Sequence, residues 1–165
     1  MKEIWYLLRC PKGDETEYIK RFSQFINHEE LKEVICFRYQ RMMRYGGAWH
    51  VEKRILLPGC IFLSGKDVTA LGQRRREDDR AVDKISLTPW ESPFLKEMCQ
   101  EGNLIHMSRG IIRDRKVEIS EGPLKGREGL IRKIDRHKRL ADIEVPFGDK
   151  KKQVTVGLEI YEKQM

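Results

Sequence analysis

Val117-Glu118-Ile119-Ser120-Glu121-Gly122-Pro123-Leu124-Lys125-Gly126-Arg127-Glu128-Gly129 decides how the chain is read. Apolar and charged residues alternate and then run into glycines, while Pro123 fixes φ between them, so the segment reads as a strand leaving into tight turns. Gly129-Leu130-Ile131, Ile143-Glu144-Val145 and Val154-Thr155-Val156 follow as short β-rich runs separated by glycine or charged turns. Runs of that length at such intervals predict a small β-barrel. The β-branched residues Val117, Ile119, Val145, Val154, Thr155 and Val156 favour strand over helix throughout this tail.

The residues ahead of the tail have a different texture. Ile4 to Arg9 is apolar, carries Trp5 and Tyr6, and suits a buried strand ended by Pro11 and Gly13. From about Asp14 to Leu31, Tyr18, Ile19, Phe22, Phe25 and Ile26 recur at helical spacing and predict a helix with one apolar stripe against a sheet. Val34 to Tyr45 and Ala48 to Leu57 flank Gly46-Gly47, which predicts a long arginine-rich hairpin. Pro58-Gly59 then breaks the chain before Cys60-Ile61-Phe62-Leu63, a central strand. Asp67 is placed to cap a helix running to about Arg76, and Thr88-Pro89 to open another from Pro89 to Gln100, ended by Gly102. The fold class expected is α+β: an antiparallel sheet packed with helices over residues 1–106, a short linker over 107–114, and a small SH3-like barrel over 115–165.

The composition is globular, with 36% charged and 39% hydrophobic residues. No run approaches the roughly 20 apolar residues of a membrane span, and Glu3 stands where a signal peptide is basic, so a cytoplasmic protein is expected. Cys10, Cys36, Cys60 and Cys99 form no C-x-x-C pair and no zinc-spaced cluster with histidine, and read as reduced core thiols; no metal or other cofactor is expected. The net charge of +7 favours a polyanionic partner. Between residues 125 and 139, Lys125, Arg127, Arg132, Lys133, Arg136, Lys138 and Arg139 outweigh Glu128 and Asp135, whereas Arg74-Arg75-Arg76 is cancelled by Glu77-Asp78-Asp79. Histidines are scattered, no Ser/His/Asp or Cys/His pairing and no Walker loop stands out, and His50 with Glu52 is the nearest approach to an acid/base pair, so an enzyme is not expected.

Trp5-Tyr6-Leu7-Leu8-Arg9-Cys10-Pro11-Lys12-Gly13, an amphipathic helix and then Leu57-Pro58-Gly59-Cys60-Ile61-Phe62-Leu63 together resemble the N-terminal domain of NusG transcription elongation factors, including the specialised paralogue RfaH. The stretch from Val117 to Gly129 resembles the KOW motif that opens this family's C-terminal barrel. The resemblance implies an N-terminal domain that docks the clamp helices of the RNA polymerase β′ subunit and suppresses pausing. Arg9, Leu57 and Cys60 match the docking positions, although family members commonly carry aromatics where Leu57 and Cys60 stand; Phe62 or Trp49 is then the nearest aromatic anchor. Leu124 replaces the aromatic that usually follows the KOW proline, and Asp149 stands where an arginine is common. These departures most resemble LoaP, a group of paralogues that act as processive antiterminators recruited by a hairpin in a nascent leader transcript.

Arg132-Lys133-Ile134-Asp135-Arg136-His137-Lys138-Arg139 lies between two predicted strands, at a hairpin tip that tracks phosphates or meets unstacked bases. Arg44, Lys53 and Arg54, on the hairpin around Gly46-Gly47, make a second candidate RNA surface. The expected function is therefore transcription elongation and processive antitermination by a monomer that binds polymerase and a leader RNA hairpin. Two alternatives stay open: a general NusG coupling polymerase to Rho or the ribosome, with Leu124 and Phe147 as partner-facing anchors, and a ribosome-associated KOW module that binds RNA.

Overall fold

The computed structural model of the chain describes residues 4–24, 31–65, 87–90, 94–147 and 150–164. They form a mixed α/β structure, mostly sheet, divided into two compact units: Met1–Cys36 with Leu57–Pro93, and Phe37–Leu56 with Phe94–Met165.

In the first unit, β1 (Ile4–Arg9) stops just before Cys10-Pro11, and α1 (Glu15–Ser23) begins after Gly13 and Asp14. Asp14 makes no side-chain cap; Glu15, only 1% exposed, instead turns back to accept the Gly13 N–H. Strand β2 spans Glu33–Ile35. Tyr18 and Phe22 of the helical stripe pack with Leu8, Leu31, Val34, Ile61 and Leu63, and Ile19 lies against that cluster. Phe25 and Ile26 of the stripe lie outside the described residues, as does the helix expected from Asp67 to Arg76.

The long hairpin expected from Val34 splits at Cys36. Glu33–Ile35 pairs with β5 (Cys60–Gly65) in the first unit, while β3 (Arg38–Tyr45) and β4 (Ala48–Ile55) form a hairpin of their own in the second. Gly46 and Gly47 have φ of 61° and 78°, the two positive values that a tight hairpin turn of matching twist requires. β6 spans Leu87–Trp90, and the first sheet runs β2-β5-β1-β6, with all six residues of interior strand β5 buried. The helix expected from Pro89 is thus corrected: Thr88 and Pro89 lie in an edge strand opposite Leu7 and Tyr6, and helix α2 spans only Phe94–Met98. Proline cannot donate to a ladder, which is why within sheets it is confined to edge strands, strand starts and bulges.

The second unit continues with β7 (Leu104–Ile105), parallel to β3. Ser108–Arg113, inside the stretch read as a linker, is strand β8; then come β9 (Lys116–Glu121), β10 (Ile131–Asp135), β11 (Leu140–Phe147) and β12 (Lys150–Gln164). The sheet order is β10-β11-β12-β8-β9. β12 changes partner midway: it is antiparallel to β11 as far as Gly157 and parallel to β8 from Leu158. The expected barrel is corrected to an open five-stranded sheet, since β9 and β10 stand at its two ends and are not paired with each other among the described residues. Strand β8 lies between β9 and β12, so β9 does not pair with β12 directly.

Alternation along β11 and β12 buries Ala141, Ile143, Val145, Val154 and Val156, and fully buried Leu124 joins them in the core. The Ser108 hydroxyl accepts from the Leu124 N–H at 3.0 Å, pinning the turn after β9 to β8. Gly122 and Gly126 of the expected turns have φ of 101° and 80°, but Gly129 does not adopt positive φ. Gly157 serves a different need, the close approach of β12 to β3: a Cβ there runs into the Gln40 carbonyl and the Met107 thioether.

Candidate nucleic-acid interface

Two of the sequence's cation groups, the hairpin around Gly46-Gly47 and the run from Arg132 to Arg139, meet within the second unit. The turn between β10 and β11 is held from inside, since Asp135 Oδ1 accepts the Lys138 N–H at 2.9 Å and the Arg139 carbonyl accepts the Leu158 N–H at 2.9 Å. Arg136, His137 and Lys138 stand exposed on this turn. Arg139 does not project. Its backbone is left-handed, with φ of 56°, and its guanidinium lies 3.8 Å from the centroid of the Trp49 ring on β4. Arg44, opposite Trp49 in the β3/β4 register, places its own guanidinium 5.9 Å from the same ring.

Acids from neighbouring strands temper this charge. Glu159 reaches Arg139 with Oε1 at 3.8 Å and Arg109 with Oε2 at 3.2 Å, and Arg109 also pairs with Glu121 at 2.9 Å while covering the Tyr161 ring at 4.9 Å. The hydrogen bond to Glu121, and then the charge of Glu159, hold Arg109 above its usual pKa. Arg132 donates to the Gly129 carbonyl at 2.7 Å and sits 3.7 Å from Glu144. Lys133 lies across from Asp142 and lines a shallow cleft with Asp135, Lys138, Leu140 and Thr155, where the Thr155 hydroxyl donates to Asp142 at 2.8 Å. On the hairpin, Arg54 pairs with Glu52 at 3.1 Å, whereas Lys53 and Arg44 are exposed without an ion pair among the described residues. The cations best placed to receive phosphate are therefore Arg44, Lys53, Arg136 and Lys138, with His137 beside them. Arg132, Arg139 and Arg54 are already engaged.

His50 and Glu52, the one pair resembling an acid/base couple, have other occupations. His50 stacks on Tyr45 at 3.8 Å and its Nε2 is 3.1 Å from the Tyr45 carbonyl, while Glu52 holds Arg54.

In the first unit Arg9 is exposed and lies opposite Cys60 in the β1/β5 register. Leu57 and Cys60 are 3% and 1% exposed, and Phe62 is fully buried, so these three side chains pack the interior, and of Arg9, Leu57 and Cys60 only Arg9 is at the surface. In the second unit, the burial of Leu124 prevents it from acting as a partner-facing anchor, while Phe147 is half-buried with Lys152 over its ring at 5.1 Å. None of Cys10, Cys36, Cys60 and Cys99 is in a disulfide; Cys36 and Cys60 are buried, Cys10 and Cys99 partly so.

Sequence reasoning found most of the cations but not their organiser. Trp49 precedes Arg139 by ninety positions, and nothing local to either residue announces that they touch. Among the described residues, no helix is long and apolar enough to cross a membrane. No protein-family model matches the chain, and no curated protein matches it in sequence.

Proposed function

We propose that the chain is a NusG-type elongation factor of the antiterminating, LoaP-like kind, acting in the cytoplasm as a monomer without enzymatic activity. In this reading the first unit docks the β′ clamp helices of RNA polymerase through the surface around Arg9, with Leu57 and Cys60 as the packed floor beneath it. The second unit holds a hairpin in the nascent leader transcript. The observation that carries the RNA half is the meeting of Arg44 from one hairpin and Arg139 from another at the Trp49 ring within one compact unit, with Lys53, Arg136 and Lys138 exposed on the same two hairpins. Exposed cations flanking a half-buried aromatic suit a ligand with both phosphates and bases. The polymerase half rests on the motifs from Trp5 to Gly13 and from Leu57 to Leu63. Burial of Leu124 favours this role over a general coupler that uses it as an anchor.

Run-off transcription across an intrinsic terminator tests the proposal. Readthrough is expected to rise when the protein and its leader are both present, and purified core polymerase is expected to retain the protein at low salt. Failure of core polymerase to bind it, with recovery of ribosomal RNA alone, would replace this reading with that of a ribosome-associated module.

A further inference from the structure

Resting on the RNA-binding reading above, we infer that Arg139 and Trp49 form a receptor for a single unpaired nucleobase, with Arg44 taking the phosphate of the same nucleotide. Arg139 is unsuited to bind phosphate. Its charge is met by Glu159 at 3.8 Å and one face of its guanidinium lies against an electron-rich indole at 3.8 Å, so an incoming anion meets a carboxylate and a π-face. What it offers is a plane. A guanidinium stacked on an aromatic presents its other face to a nucleobase, and such planes are how proteins receive unstacked RNA bases.

The plane is fixed before any ligand arrives. The Arg139 backbone is pinned by the Leu158 N–H at 2.9 Å, its left-handed φ of 56° sets where the side chain starts, and Glu159 restrains its end. Arg109 draws on the other oxygen of Glu159 at 3.2 Å, so that carboxylate is itself oriented. The Arg139 side chain remains 25% exposed, enough to reach. Arg44 behaves differently: its guanidinium, 5.9 Å from the Trp49 ring, lies at the outer limit of a cation–π contact and has no ion pair among the described residues. It is the cation beside the plane that is free to meet a phosphate. Glu159 is a positioning residue here, acting on the base only through Arg139.

The test uses the full chain and two RNA probes: a stem-loop whose loop is all adenosine, and the same stem-loop with every loop position abasic. Wild type is expected to bind the adenosine loop about tenfold more tightly, as one stacked base allows. Trp49→Ala and Arg139→Lys are expected to abolish that preference while the salt slope stays put, and Glu159→Gln to weaken it. Arg139→Lys keeps the charge that pairs with Glu159, and circular dichroism shows which variants fold. Arg44→Ala is expected to do the reverse, keeping the preference and lowering the salt slope by about one phosphate contact. Equal affinity of wild type for both probes, or a preference that survives Arg139→Lys, overturns the base receptor and leaves the RNA-binding reading standing. Binding to neither probe at low salt removes both.

Discussion

At Gly122 the backbone has φ of 101°, and a Cβ would come within 2.6 Å of both the Met107 carbonyl oxygen and Ser108 Cα. Neither atom can yield without moving β8, so Gly122→Ala is expected to cost roughly 2 to 4 kcal/mol in urea denaturation. Gly129→Ala makes the contrast. That glycine has no positive φ and nothing within 4 Å of its Cβ position, so the change is expected to stay within about 0.5 kcal/mol. The sequence shows glycine at both places and gives no means of telling the required one from the incidental one, because the obstruction at Gly122 comes from another strand. Burial, reinforced by the neighbouring Glu15, pushes Cys10 from 9.0 up to about 11, and burial does the same to Cys99 against the opposing pull of Lys96. At pH 8 their thiolates are therefore on the order of a hundredfold scarcer than on an unburied cysteine, and iodoacetamide labelling followed by mass spectrometry is expected to be correspondingly slow. The unfolded chain releases these protons near 9.0 while the folded chain keeps them to about 11, so stability is expected to fall as pH climbs through that window.

Elements show where local sequence suffices. Helix α1 was legible from Tyr18, Ile19 and Phe22 at helical spacing, and the β3/β4 turn from Gly46-Gly47, because both signals are complete within a few residues. Thr88-Pro89 misled because the same dipeptide suits a helix start or an edge strand, and only the pairing of Pro89 with Tyr6 decides between them. Strand β8 was illegible for the same reason: its parallel partner, Leu158–Gln164, lies far along the chain and is rich in charge. The basic patch was legible as a count and misread as a field. Glu144 and Glu159 arrive from neighbouring strands to engage Arg132 and Arg139. Gly46 and Gly47 both need positive φ, with nothing within 4 Å to obstruct a side chain, so conformation alone sets the cost. Gly46→Asn is expected to be tolerated to within about 0.5 kcal/mol, since asparagine enters the left-handed region readily, while Gly47→Val is expected to cost roughly 1 to 3 kcal/mol. Urea midpoints measure both.

The whole chain is divided in a way that no linear cut respects, because Phe37–Leu56 belongs to the same unit as Phe94–Met165. A fragment of residues 115–165, the tail that the sequence reads as a barrel, omits β8. The second half of β12 then loses its parallel neighbour and β9 its hairpin partner, leaving a ladder of β10, β11 and the first half of β12. Extending the fragment to residues 105–165 restores β8 and the hydrogen bond from the Leu124 N–H to the Ser108 hydroxyl, and with them the five-stranded sheet. Even that fragment lacks what the hairpin contributes: the Gln40 side chain that accepts the Met107 N–H at 3.0 Å, the packing of β3 on β12 at Gly157, and the Trp49 ring beneath Arg139. Three strands with one apolar face are near the lower limit for independent folding. The urea midpoint is therefore expected to rise from 115–165 to 105–165, and to rise again when residues 37–56 are joined to 94–165 through a flexible linker. All three fragments are expected to show β-rich far-UV spectra, because their valines and isoleucines favour strand wherever they pair. Equal midpoints for the first two would mean that β8 adds nothing to the sheet it completes, and a helical spectrum from 115–165 would mean that the tail holds its strands only in the presence of the rest.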